Sequence, residues 1–149
     1  MSDPFELSRF VQAQKRDYAI ALHELLNGKK KTHWMWYIFP QIDGLGKSDR
    51  AVRYAITSRR EAKAYMHHSV LRDRLLQCAS ALLRVKGRTA SEIMGFPDDM
   101  KLRSSMTLFA AVSPEGSVFH RVLDAYYNGE QDPKTLEILA EDRSQVGNT

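Results

Sequence analysis

The stretch SVLRDRLLQCASALLRVKG, residues 69–87, decides the fold class of this chain. Its apolar residues recur three and four positions apart, which is the spacing of a helix with one buried face. Ser69 can cap the start of such a helix, and Gly87 suits the position just after its end. The predicted buried face consists of Val70, Leu71, Leu75, Leu76, Ala79, Leu82 and Leu83.

Similar helical patterns lie on both sides of this stretch. Asp3-Pro4 opens one that Asn27-Gly28 ends, and Asp98 opens another that runs to about residue 112. Further helix starts are predicted at Ser48, Ser58, Thr89 and Asp132. We therefore predict a mostly α fold, a single compact domain of about seven helices over residues 1–142, with at most a short extended segment. A flexible tail is expected over residues 143–149.

Size and composition are those of a globular domain with one core. The chain has 149 residues, of which 43% are hydrophobic and 27% are charged. Its longest apolar stretch, residues 34–40, is far shorter than the roughly 20 residues that span a bilayer, and residues 1–6 lack a signal-peptide pattern. Cys78 is alone, which fits a reducing cytoplasm and excludes a Cys-rich zinc site. We expect a cytoplasmic protein without membrane contact, metal or organic cofactor, and the oligomeric state stays open.

Charge is divided unevenly along the chain. Lys and Arg number 22 against 18 Asp and Glu, but residues 1–75 carry a net charge of +6 and residues 76–149 a net charge of −2. A basic half suits an anionic partner such as a phosphorylated ligand or a nucleic acid. A solvated basic surface explains the same numbers.

An aromatic run followed by glycines interrupts the helical pattern at residues 33–47. We predict a short extended segment or an irregular ridge there. Its rings either fill the core or present faces on which the ring of a ligand stacks. Glycines in the following loop allow backbone N–H groups to approach an anion. The ligand-binding candidates from this segment are Trp34, Trp36, Tyr37, Gly44 and Gly46.

The predicted helix start at residue 98 mixes acids, cations and hydroxyl groups. Asp98 and Asp99 suit the positive end of a helix dipole, and capping alone accounts for them. The same carboxylates are catalytic candidates if their neighbours hold a phosphate or ribose. Those ligand-binding candidates are Lys101, Arg103, Ser104 and Ser105. Gln14, at the edge of the first helix's apolar stripe, is a further candidate for holding a sugar or an amide.

Four blocks of the sequence resemble a widespread bacterial and fungal family of uncharacterised proteins. The longest block is HWMWYIFPQ at residues 33–41, and the others begin at Arg9, Tyr54 and Lys101. The resemblance spans about residues 7–139. Some members of this family carry a calpastatin-like label, which nothing in this chain supports.

A remoter resemblance involves the run SRFVQAQK at residues 8–15. It is similar to the first helix of the NADAR (NAD- and ADP-ribose-related) superfamily, whose mostly α-helical domains include YbiA-like N-glycosidases. Ser8 stands where the superfamily has a glutamate. The residues that agree with the superfamily are Gln12, Ala13, Gln14 and Lys15.

This resemblance implies a NADAR/YbiA-like fold and an N-glycosidase-type hydrolase. Its substrate would be a phosphorylated ribosyl compound related to a nucleotide, ADP-ribose or a riboflavin precursor, with Asp98 or Asp99 stabilising an oxocarbenium-like transition state. Because Ser8 replaces the glutamate, a non-catalytic module that binds ADP-ribose or a nucleotide is the alternative. A nucleic-acid binder ranks third, and we do not expect a nucleic acid to be the partner.

Overall fold

The structure, a computed structural model, describes residues 3–142, and within this range it contains nine helices and no strand. The predicted fold class, a mostly α single domain, is confirmed, with nine helices in place of about seven. The predicted tail over residues 143–149 lies outside the described residues. The helices are α1 (Ser8–Leu26), α2 (Met35–Ile38), α3 (Asp49–Arg53), α4 (Arg59–His67), α5 (Ser69–Arg84), α6 (Ala90–Met94), α7 (Asp98–Ala110), α8 (Val118–Tyr127) and α9 (Pro133–Glu141).

Helices α1 and α5 pack along each other at the centre of the fold, and α7 and α8 form the second large helix pair. The predicted apolar face of α5 is buried at Leu71, Leu75, Ala79 and Leu82, because these side chains enter the common core. Val70 is the exception, since it is exposed. None of the helices between residues 3 and 142 has the length and apolarity that crossing a bilayer requires.

Hydrogen bonds confirm several of the predicted helix starts. Ser48 Oγ accepts from the Ala51 N–H at 3.1 Å, and Thr89 and Glu92 form a reciprocal capping box. Helix α1, in contrast, begins at Ser8 and not at Pro4. The chain turns at Glu6, whose φ of 53° is left-handed, and the carboxylate of Asp3 instead accepts from the backbone N–H groups of residues 7 and 8.

The aromatic segment is helical, so the prediction of an extended or irregular ridge is wrong at its centre. Residues 35–38 close one turn, α2, because the burial of Met35, Tyr37 and Ile38 outweighs the modest helix propensity of aromatic residues. The extended part is confined to one isolated parallel bridge between Ile42 and Ile56. That bridge fixes the glycine loop, residues 43–46, against α3.

Candidate functional site

Trp36 is the residue of the aromatic segment that reaches the surface. Successive residues of a helix point about 100° apart, so α2 buries the flanking side chains of Met35 and Tyr37 while Trp36 stays half-buried. The guanidinium carbon of Arg50 lies 5.0 Å from the centroid of its ring, and Lys101 Nζ lies 5.8 Å from it. The indole N–H has no hydrogen-bond partner among residues 3–142. An indole with a free donor and two neighbouring cations is a suitable contact for a phosphate.

Asp98 joins this group through Lys101. One carboxylate oxygen lies 3.8 Å from Lys101 Nζ, and the other lies 2.9 Å from Lys30 Nζ. Lys30 also lies over the ring of Trp34, with its Nζ 4.9 Å from the centroid. We call the set Trp36, Arg50, Lys101, Asp98 and Lys30 the Trp36 cluster. It brings together the two stretches that sequence reasoning singled out.

Asp98 and Asp99 do not form a pair of cooperating carboxylates. Asp99 lies instead beside α8, where its backbone carbonyl accepts a hydrogen bond from Tyr127 Oη. Burial chiefly, and the negative charge of Asp99, raise the pKa of Tyr127 above its ordinary value. Of the two catalytic candidates, only Asp98 belongs to the Trp36 cluster.

The three other candidates on α7 lie away from the Trp36 cluster, and two of them, Arg103 and Ser104, contact the residue that caps α9. Arg103 Nη2 lies 3.8 Å from a carboxylate oxygen of Asp132, and Ser104 Oγ donates to the other oxygen at 3.0 Å. Asp132 in turn caps α9 by accepting from the Thr135 N–H at 3.1 Å. Ser105 is fully buried, and its hydroxyl is the one buried side-chain polar atom without a partner in the described part of the chain.

Gln14, Trp34 and Tyr37 are buried and hydrogen-bonded inside the protein. Gln14 Nε2 donates to the Tyr37 carbonyl at 2.7 Å and to Tyr65 Oη at 3.1 Å, which ties α1 to α2 and α4. Trp34 Nε1 donates to Glu24 at 2.9 Å. Burial, together with a hydrogen bond to Asp17, raises the pKa of Tyr37 to about 12. These three side chains therefore form part of the buried core that supports the Trp36 cluster.

Gly44 and Gly46 lie beside Trp36, but as close-packed backbone. A Cβ on Gly46 would come within 2.6 Å of Ala51 Cβ on α3, so only glycine fits there. The space enclosed between this loop, Trp36 and α3 is about 10 Å³, roughly the room of one water molecule. A ligand of the Trp36 cluster must therefore lie on its open side.

Sequence reasoning missed Arg50 and Lys30. Arg50 is one of several exposed arginines, and Lys30 is the middle residue of a lysine triplet that reads as a solvated turn. No local pattern distinguishes either residue from its neighbours, since each acquires its role from a helix distant in sequence.

Metal and thiol chemistry find no support in the described residues. No three His, Cys, Asp or Glu side chains between residues 3 and 142 come together in a way that could hold a metal ion. Cys78 is buried, and burial raises the pKa of its thiol to about 12. A thiolate nucleophile is therefore not available at neutral pH.

Comparisons with known proteins match nearly the whole fold. Residues 4–139 match the family profile described as "Protein of unknown function (DUF1810)". The crystal structure of the conserved hypothetical protein Rv1873 from Mycobacterium tuberculosis is similar, with a TM-score of 0.91 and 48% sequence identity. The match covers 93% of this chain and 99% of that one. A search of curated proteins gives no match. Neither description names an activity.

Proposed function

The chain belongs to the DUF1810 family, and we propose that it binds a phosphorylated ribosyl compound at the Trp36 cluster and hydrolyses the compound's N-glycosidic bond. One observation carries this proposal. Two cations from separate helices, Arg50 on α3 and Lys101 on α7, lie against one half-buried indole, with the Asp98 carboxylate beside them.

Phosphate binding follows from the strengths of the contacts involved. A cation over an aromatic ring at an exposed site contributes only about 0.5–1 kcal/mol, whereas hydrogen bonds to a charged group contribute about 1.5–3 kcal/mol each. A phosphate therefore draws the flexible side chains of Arg50 and Lys101 away from Trp36. The uncovered ring then stacks on the base of the ligand, a contact of about 1–3 kcal/mol.

Asp98 supplies the carboxylate for the reaction. When Lys101 binds a phosphate, its contact with one carboxylate oxygen of Asp98 is lost, and that oxygen becomes available. The bond between ribose C1′ and the base nitrogen breaks, and the base leaves with the electron pair and takes up a proton. A water oxygen bonds to C1′ and loses its proton to the solvent. Asp98 stabilises the positive charge that develops on the ribose, or orients the water.

The ribosyl class of ligand is suggested by the resemblance of residues 12–15 to the first NADAR helix. In this protein Gln14 of that run holds α2 in place, so its contribution to the Trp36 cluster is indirect. We retain a cytoplasmic location as part of the same proposal.

Binding without hydrolysis is the second candidate function, and two observations favour it. Asp98 is held at 2.9 Å by Lys30, whose side chain is only 7% exposed, so the carboxylate is not free to move. The enclosed space beside Trp36 is also too small to shield a reacting ribose from water.

A titration with AMP and with ADP-ribose tests both candidates. Binding is followed by tryptophan fluorescence and by thermal shift, and release of the base is followed by chromatography. We expect Arg50→Ala to weaken binding about tenfold, the equivalent of about 1.4 kcal/mol. Arg53→Ala, which removes an exposed arginine from the same helix, is the matched control and should bind normally.

The outcomes separate the two candidates. Base release by the natural protein, abolished in Asp98→Asn, supports hydrolysis. Tight binding of either compound without base release leaves the binding function. The proposal for this cluster is contradicted if neither compound binds. It is also contradicted if Arg50→Ala and Arg53→Ala lose equal affinity.

A further inference from the structure

We infer that a second surface, separate from the Trp36 cluster, binds the phosphate backbone of a nucleic acid. The surface lies where the loops after α1 and α5 meet beside α8. We call it the basic groove, and four cations belong to it: Lys86, Arg88 and Arg121 line it, and Lys29 lies beside it in the loop after α1. All four side chains are exposed.

Direct contacts hold the two loops together. Arg88 Nη1 donates to the carbonyl oxygen of Gly28 at 3.1 Å. Gly28 has a φ of 71°, and a Cβ there would lie 3.4 Å from Arg88 Cδ, so the loops touch. Hydrogen bonds from Thr89 chiefly, and also the charges of Arg88 and Lys29, lower the pKa of Glu92. Lys29 and Arg88 therefore lie close enough to act on one carboxylate.

The groove itself has a volume of about 550 Å³. Lys86 and Arg88 line it from one side and Arg121 from the other, with Asp124 as its one acidic residue. In the part of the chain that the structure describes, none of the four cations forms an ion pair, although Glu92 lies close to Lys29 and Arg88. Four cations against the two carboxylates of Asp124 and Glu92 leave this surface with an excess of positive charge.

Helix capping accounts for only part of this charge. Lys86 Nζ donates to the Leu83 carbonyl at 3.3 Å, and Arg88 donates to Gly28 after the end of α1. Cations are favoured at such C-terminal ends. Arg121, however, is the fourth residue of α8, near the positive end of that helix. The helix dipole does not favour a cation there, so capping does not account for Arg121.

A nucleic acid fits the groove better than an acidic protein does. Protein interfaces depend on large apolar or aromatic anchors, and none of the exposed large hydrophobic residues lines the groove. Tyr126 contributes a half-buried ring whose hydroxyl donates a hydrogen bond to the Leu82 carbonyl. Contacts with phosphates need only cations. Binding should therefore be independent of base sequence.

The test is fluorescence anisotropy with a labelled 20-base-pair DNA duplex and a 20-base single-stranded RNA between 50 and 200 mM salt. Four phosphate contacts predict a slope of log K against log salt of about −3 to −4 for the duplex. In the double variant Lys29→Ala, Arg121→Ala, this slope should be less negative by about 2. The control Lys15→Ala, Arg60→Ala removes two exposed cations outside the groove and should leave the slope unchanged.

Trp36→Ala distinguishes this inference from the proposed function. Loss of nucleotide binding with an unchanged oligonucleotide slope shows two separate sites. The inference is overturned if neither oligonucleotide binds, or if Trp36→Ala abolishes oligonucleotide binding. It is overturned as well if the salt slope changes as much in the control variant as in the groove variant. It is also overturned if polyglutamate of equal charge binds more tightly than both oligonucleotides, which would indicate an acidic protein partner.

Discussion

Lys30 and Asp98 form an ion pair of 2.9 Å in which the lysine side chain is almost completely buried. The pair joins the loop after α1 to the first turn of α7, two parts of the chain with no connection in sequence. A second lysine, Lys101, approaches the same carboxylate from one helical turn away. The ion pair therefore sets both the packing of these elements and the position of the carboxylate in the Trp36 cluster.

Breaking this ion pair should destabilise the protein. In Lys30→Met the Asp98 carboxylate loses its principal partner, and we expect the free energy of unfolding to fall by about 1–3 kcal/mol. Urea denaturation of Lys30→Met, Asp98→Asn and the double variant measures the coupling between the two residues. The two single effects should exceed the effect of the double variant. Simple additivity would show that the contact has no energetic role.

Gly46 is predicted to be intolerant of any side chain. Its missing Cβ would lie 2.6 Å from Ala51 Cβ, so Gly46→Ala should lower the free energy of unfolding by about 1–3 kcal/mol through overpacking. The double variant Gly46→Ala, Ala51→Gly removes the clash and should regain part of the loss. Thermal denaturation of both variants checks this, and no recovery in the double variant would assign the cost to the backbone.

Ser105 and Ser104 should respond in opposite ways to replacement by alanine. Ser105 Oγ is buried without a partner in the described residues, so Ser105→Ala should raise stability by up to about 1 kcal/mol. Ser104 Oγ donates to Asp132, and Ser104→Ala should lower stability by about 1 kcal/mol. Urea titrations at neutral pH compare the two. A clear fall in the free energy of unfolding in Ser105→Ala would indicate a partner for that hydroxyl.

Glu24 should make stability depend on pH in the acid range. Burial opposes its charge, but hydrogen bonds from Lys31, Thr32 and Trp34 outweigh that effect and lower its pKa. A carboxyl with a lowered pKa stabilises the fold above its unfolded-state pKa, and this contribution is lost as the pH falls through the folded-state value.

Glu24→Gln should therefore be less stable than the natural protein at pH 7, by about 1–3 kcal/mol, and the difference should shrink towards pH 3. Chemical denaturation at a series of pH values measures it. A difference that stays constant with pH would mean that packing, and not the charge of Glu24, accounts for the loss.

Cys78 should react only when the protein unfolds. Its thiol is buried and its pKa is raised to about 12, so little thiolate forms at pH 8. A thiol reagent added to the native protein should label it slowly, and denaturant should make labelling rapid. Rapid labelling without denaturant would show that the core opens locally around α5.

Local sequence determined the helical class of this protein and most of its helix boundaries. The apolar spacing in α5 and the capping groups at Ser48, Thr89 and Asp132 act within one or two turns, so they can be recognised without knowledge of the rest of the fold. Glu6 marks the limit of such reasoning. Its left-handed backbone moves the start of α1 by four residues, and nothing in the residue type indicates that conformation.

Only the tertiary structure decided which aromatic and charged side chains share a surface. Trp34, Trp36 and Tyr37 have similar hydrophobicity, and a single helical turn points them in different directions. Which one stays near the solvent depends on the helices that pack against the other two. The same holds for Asp98 and Asp99, because Lys30 and Tyr127 reach them from distant segments. Side-chain chemistry is local, whereas the partner that each side chain meets is set by long-range packing.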